Sequence, residues 1–165
     1  PIRPNLNNQF ISILYSDLWG DYWGYFTFTS RFLNDGRNQL NIGDYLARVN
    51  IVSIITTFIV VIFCYLAYKK HKSNFIIQYV NLAWITSLVG YLLFTISYPN
   101  STGDTIKSTY IIQAFHLMVF LASIYFYELK RVNKKMHTGV IISLIIIYIH
   151  NFQSYLSHFP YNFLP

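Results

Sequence analysis

The chain reads as an all-α polytopic membrane protein, with four transmembrane helices after an aromatic-rich extracytoplasmic N-terminal segment. Two observations predict this. Four apolar runs almost free of charge, at about 51–68, 75–97, 109–127 and 139–156, each reach the roughly 17–25 residues that a membrane-spanning helix needs. The charges also sort along the chain. Lys69, Lys70 and Lys72 follow the first run, and Lys130, Arg131, Lys134 and Lys135 follow the third. One helical hairpin separates these basic segments, so they share a side, and Lys/Arg enrichment in short connections marks it as cytoplasmic. Asp17, Asp21, Asp35, Asp44 and Asp104 fall on the other side, balanced by Arg3, Arg31, Arg37, Arg48 and Lys107. The formal net charge of +6 is therefore the seven cytoplasmic bases less Glu128. That charge expresses topology and not a nucleic-acid footprint, so no nucleic-acid partner is expected.

Composition agrees. The chain is 54% hydrophobic and 11% charged, against about 25% charged in a soluble domain. The single Cys64 excludes an intramolecular disulfide. Pro1 to Asn8 are polar and contain no apolar core of a signal peptide. A chain opening on Pro-Ile-Arg-Pro looks like an internal start, and the expectation is a piece of something longer. Two regions are expected: an extracytoplasmic interfacial segment over 1–49 and a four-helix transmembrane module over 50–165.

The stretch from Phe10 to Leu33 holds nine aromatics around Asp17 and Asp21. It makes a poor span, because each carboxylate at mid-membrane costs at least ~2.5–3.5 kcal/mol on insertion scales. It is placed at the outer surface, with Gly20 and Gly24 interrupting any long helix. Asn34 to Asn38 reads as a turn, and Asp44 as a residue that opens a helix. The first span is β-branched and smooth. The second carries Gln78 and Asn81 and should stop at Pro99. The third, beginning near Thr105, carries Gln113 and His116, and the fourth uses His150, Asn151, Gln153 and Ser154 to reach the far interface. The aromatic tail from Ser157 lies in the interfacial belt.

Two constellations could carry chemistry. In the first, Asp17-Leu-Trp19-Gly-Asp21-Tyr22-Trp23-Gly, the carboxylates share a face if the segment is helical. Paired acids can hold a divalent cation, act as acid and base, or bind hydroxyl groups. The Trp and Tyr rings beside them offer flat faces on which a sugar ring stacks. The plainer alternative is an interfacial loop with anchored aromatics and Asp-capped turns. The acids have no neighbouring His or third carboxylate, so no metal is expected. In the second constellation, Gly103-Asp104-Thr-Ile-Lys107-Ser-Thr-Tyr110, Asp104 suits an N-cap. Lys107 then stands at the helix end that is already positive, which makes sense if an anion docks there. The alternative is a local Asp104–Lys107 pair worth a few tenths of a kcal/mol. Arg48 is the natural second cation, and Tyr110 could donate a hydrogen bond. Gln78, Asn81 and Gln113 are expected to link helices by hydrogen bonds. The five histidines lack metal-ligand spacing, and no P-loop, dinucleotide fingerprint or nucleophile elbow occurs.

At Asp17-Leu-Trp-Gly-Asp21-Tyr-Trp-Gly and Gly103-Asp-Thr-Ile-Lys107-Ser-Thr-Tyr110 the chain resembles the C-terminal half of GT-C-type polytopic membrane glycosyltransferases, akin to the dolichyl-phosphate-mannose protein mannosyltransferase and aminoarabinose transferase families. The resemblance covers about a quarter of the chain. It implies transfer of a sugar from a polyprenyl-phosphate carrier on the extracytoplasmic face, with no cofactor. It also implies that Lys107 and Tyr110 lie near the lipid phosphate, and that Asp17, Trp19, Asp21, Tyr22, Trp23 and Arg48 contribute to substrate binding. The catalytic acid of such enzymes lies in a first outer loop that has no counterpart here, so catalysis would need the rest of a longer parent chain. The rival expectation is a non-catalytic small subunit of a respiratory-type membrane complex, its partners being lipids and other membrane subunits. A transport component built on Gln113 and His116 ranks last, because the spans lack charge.

Overall fold

The computed structural model describes residues 10–20, 36–98 and 107–156. Among them the regular structure is entirely helical: α1 (Phe10–Trp19), α2 (Gly36–Lys70), α3 (Phe75–Ser97), α4 (Ile112–Val132) and α5 (Lys134–Leu156), with a 3-10 turn at Ser108–Tyr110. Four stretches are long and apolar enough to cross a membrane: Asp44–Lys70, Phe75–Ser97, Ile112–Val132 and Lys134–Phe152. The all-α, four-span architecture is thus present. The chain forms two compact units, one of residues 1–53, 99–109 and 147–165, the other of residues 54–98 and 110–146.

Helix ends follow local chemistry. Asn74 caps α3: its side-chain oxygen accepts from the amides of Ile76 at 2.9 Å and Ile77 at 3.4 Å. The helix closes at Ser97, two residues before Pro99, with the Tyr98 amide still bonded to Phe94 O at 3.0 Å. Between α4 and α5 there is a single non-helical residue, Asn133. Its amide completes α4 by donating to Leu129 O at 2.8 Å, and its side chain starts α5 by accepting from Met136 N at 3.0 Å.

Several sequence expectations change here. Helix α2 runs unbroken for 35 residues. Gly36 to Asn38, expected in a turn, are its first residues, and Asp44 lies inside it and opens nothing. Residues 128–137, expected as a basic loop, are helical on both sides of Asn133 because Lys and Arg are good helix formers. Helix α4 begins at Ile112, later than Thr105.

In the second unit, Phe63 of α2 packs with Ala122 and Leu129 of α4, joined by Ile59, Val60, Tyr125, Phe126 and Val140. Phe63 meets the Tyr125 ring at 5.3 Å between centroids. A second cluster joins Cys64, Ile77 and Leu121 with Val80, Trp84 and Ile124. Much of the remaining apolar surface is exposed, including Ile76, Tyr79, Leu82 and Leu93 on α3 and Ile142, Ile145, Ile146 and Ile149 on α5. In water such continuous apolar faces would drive aggregation; in a bilayer they meet lipid.

Candidate functional site

Helix α1 is ten residues long, too short to cross a bilayer. Asn50 of α2 fastens it. Tyr15 Oη donates to the backbone oxygen of Asn50 at 2.6 Å, and Asn50 Nδ2 donates to Ser16 Oγ at 3.0 Å. Gly20 ends α1, its amide bonded to Ser16 O at 2.8 Å. An added Cβ at Gly20 would stand 3.0 Å from Asn50 Oδ1, so the helices approach closely because this residue has no side chain.

Asp17, one residue after Ser16, is buried to 1% exposure. Carboxylates are very seldom buried to this degree unless held by partners or used by the protein. Trp19, the last residue of α1, is half-buried. Trp19 Nε1, Asn50 Oδ1 and Ser108 Oγ are buried polar atoms that make no hydrogen bond among the described residues, and all three belong to the first unit. Native structures rarely leave such atoms idle, and each marks a place where a polar group could be received.

A polar seam continues along α2 within the same unit. Ser53, one turn beyond Asn50, accepts from Asn151 Nδ2 of α5 at 2.8 Å, and Ser154 Oγ donates to Asn151 O at 2.6 Å. Tyr45 Oη donates to His150 O at 3.0 Å, and the Tyr45 and His150 rings stack with centroids 6.4 Å apart.

The sequence-derived site residues fall as follows. Asp17, Trp19, Arg48 and Lys107 belong to the first unit. Asp17 is buried, Trp19 and Lys107 half-buried and Arg48 exposed. Tyr110 belongs to the second unit, where its exposed ring meets the Tyr91 ring edge-on at 6.4 Å. Asp21, Tyr22, Trp23 and Asp104 lie outside the described residues. Lys107 and Tyr110 do not sit on the first turn of an α-helix as expected: Lys107 precedes the 3-10 turn, and Tyr110 is its last residue.

The interhelical links are also reassigned. Gln78 Nε2 donates to Lys72 O, Trp84 Nε1 donates to Asn81 Oδ1 at 3.0 Å, and Gln113 Nε2 donates to Tyr110 O at 3.4 Å. All of these are local to one stretch of chain. Among the described residues, links between elements distant in sequence come in the first unit from Tyr15, Ser16, Tyr45, Asn50, Ser53 and Asn151, and in the second from Lys70, His71 and Glu128. The pairs Asn50/Ser53 and Asn151/Ser154 share a three-residue spacing that puts each pair on one helix face, a signal present in the sequence. Among the described residues, no group of three or more His, Cys, Asp or Glu could hold a metal ion.

No family model matches this chain, and neither a curated protein nor a solved structure matches it.

Proposed function

We propose that this chain is the C-terminal membrane module of a glycosyltransferase that takes a sugar from a polyprenyl-phosphate carrier on the extracytoplasmic face. The observation that carries the reading is Asp17, a carboxylate buried to 1% on a short aromatic helix, in the same compact unit as Lys107 and three buried polar atoms without hydrogen bonds. Lys107, with Arg48 as second cation, meets the lipid phosphate. Asp17 and Asp21 accept hydrogen bonds from sugar hydroxyls, and Trp19, Tyr22 and Trp23 offer ring faces for stacking. The nucleophile activation that completes the transfer belongs to the rest of a longer parent chain.

The test is direct binding of a polyprenyl phosphate to the detergent-solubilised chain. A charge-assisted contact contributes about 1.5–3 kcal/mol, so Lys107→Ala should weaken binding roughly 10–150-fold. Lys107→Arg should keep most of the affinity. Equal binding by wild type and Lys107→Ala would remove the donor site and favour a non-catalytic subunit of a membrane complex.

A further inference from the structure

We infer that the basic end of the second unit is a binding surface for anionic phospholipid headgroups. This stands independently of the glycosyltransferase reading, whose residues lie elsewhere in the chain.

The observation is a convergence. The turn after α2 and the joint between α4 and α5 are far apart in sequence, yet Glu128 holds them together. One carboxylate oxygen forms an ion pair with Lys70 Nζ at 3.0 Å and the other meets His71 Nε2 at 2.8 Å. The same two segments carry Lys69, Lys72, Lys130, Arg131, Lys134 and Lys135, all exposed and none in an ion pair among the described residues. Crowded like charges repel one another, and a multivalent or densely packed anion relieves that repulsion. Sorting of charge by side requires only that the bases lie beyond the helix ends; it does not require the two segments to be fastened into one patch.

The surroundings choose among anions. Large apolar side chains stand exposed at the same helix ends: Phe75 at 77% and Tyr79 on α3, Tyr127 and Val132 at 78% on α4, and Met136 on α5. Exposed apolar side chains at helix ends next to exposed cations suit a ligand with acyl chains and a phosphate. A soluble polyanion such as a nucleic acid would use the cations and leave those side chains in water. Arg131 is already positioned for this role. Its guanidinium lies 5.2 Å from the centre of the Tyr127 ring and donates to Tyr127 Oη at 3.0 Å. The planar fork keeps further N–H donors for a phosphate oxygen, and Tyr rings favour headgroup depth.

The experiment titrates the detergent-solubilised chain with phosphatidylglycerol and, separately, phosphatidylcholine, counting bound lipids by native mass spectrometry. Phosphatidylglycerol should bind at least tenfold tighter at low salt, and the preference should shrink as salt is raised. Each cation removed should cost about fivefold, equivalent to about 1 kcal/mol. The double variants Lys69→Gln/Lys72→Gln and Lys134→Gln/Lys135→Gln should therefore each lose roughly 20–30-fold. The matching Lys→Arg doubles should keep wild-type affinity. If a glutamine double fails to fold, the salt titration of the wild type decides alone. Equal binding of the two lipids, a salt-insensitive preference, unchanged affinity in a folded glutamine double, or an oligonucleotide binding as tightly as phosphatidylglycerol would each overturn the proposal.

Discussion

Asn151 in the last helix donates to Ser53 in the first long one at 2.8 Å, with both side chains buried. Hydrogen bonds between helices in a membrane average about 0.6 kcal/mol and reach about 1.7. Asn151→Ala should destabilise the protein by about 1–2 kcal/mol, because the buried hydrogen bond to Ser53 is lost. Adding Ser53→Ala should cost little more. Unfolding in detergent of the two single variants and the double closes the cycle, and strictly additive losses would mean that the contact contributes nothing.

Gly20→Ala should loosen α1. The new Cβ would come within 3.0 Å of Asn50 Oδ1 and 3.3 Å of Ser16 O, and such overpacking costs about 1–3 kcal/mol. In an Asn50→Ala background the nearest obstacle is gone and the Gly20→Ala penalty should fall by at least half. Thermal unfolding of the four combinations measures it. The same penalty in both backgrounds would show that Asn50 is not what crowds the glycine.

Glu128→Gln should have only a small effect. Its Lys70 partner has a half-exposed side chain, 51% accessible, and that of His71 is 32% accessible. Ion pairs in such settings contribute about 0–1 kcal/mol each. The loss should shrink further as salt screens the pair. Unfolding midpoints at low and high ionic strength provide the check, and a loss well above 2 kcal/mol would mean that Glu128 organises more than two helix ends.

Topology is open to labelling in a Cys64→Ser background. Single cysteines at Ser73 and Asn133 should react with a membrane-impermeant thiol reagent from the same side, since Glu128 joins the two connections. A cysteine at Ser101 should react from the other side. Labelling of positions 73 and 133 from opposite faces would break the four-span arrangement.

How far these features were visible in the sequence depends on the kind of information each one needs. Helix α3 was legible at both ends, because the apolar run starts at Phe75 and Pro99 is a local stop signal that acts on its own backbone. The end of the last helix was also legible, at Leu156, but the starts of α2, α4 and α5 and the end of α4 were not. An apolar run reports where lipid-compatible side chains stop, while helical hydrogen bonding continues through Gly36 to Asn50, through Lys130 and Arg131, and through Lys134 to Thr138. The same limit applies to the site. Asp17 could be singled out as a carboxylate among aromatics, but its burial, like the pairing of Tyr15 and Ser16 with Asn50, is tertiary and no single segment encodes it. Lys107 and Tyr110 were placed on an α-helical turn because the local composition allows one; the chain there takes a tighter turn first.

The joint at Asn133 gives the α4–α5 hairpin a particular sensitivity to insertions and deletions. One residue ends one helix and begins the next, so there is no slack in the backbone to absorb a change in length. Inserting a single amino acid would turn α5 about its axis by about 100° and slide it by about 1.5 Å. Val140 would leave the cluster around Phe63, and a neighbouring side chain would face it instead. The joint is therefore a place where a gene can neither add nor lose a codon without repacking the hairpin.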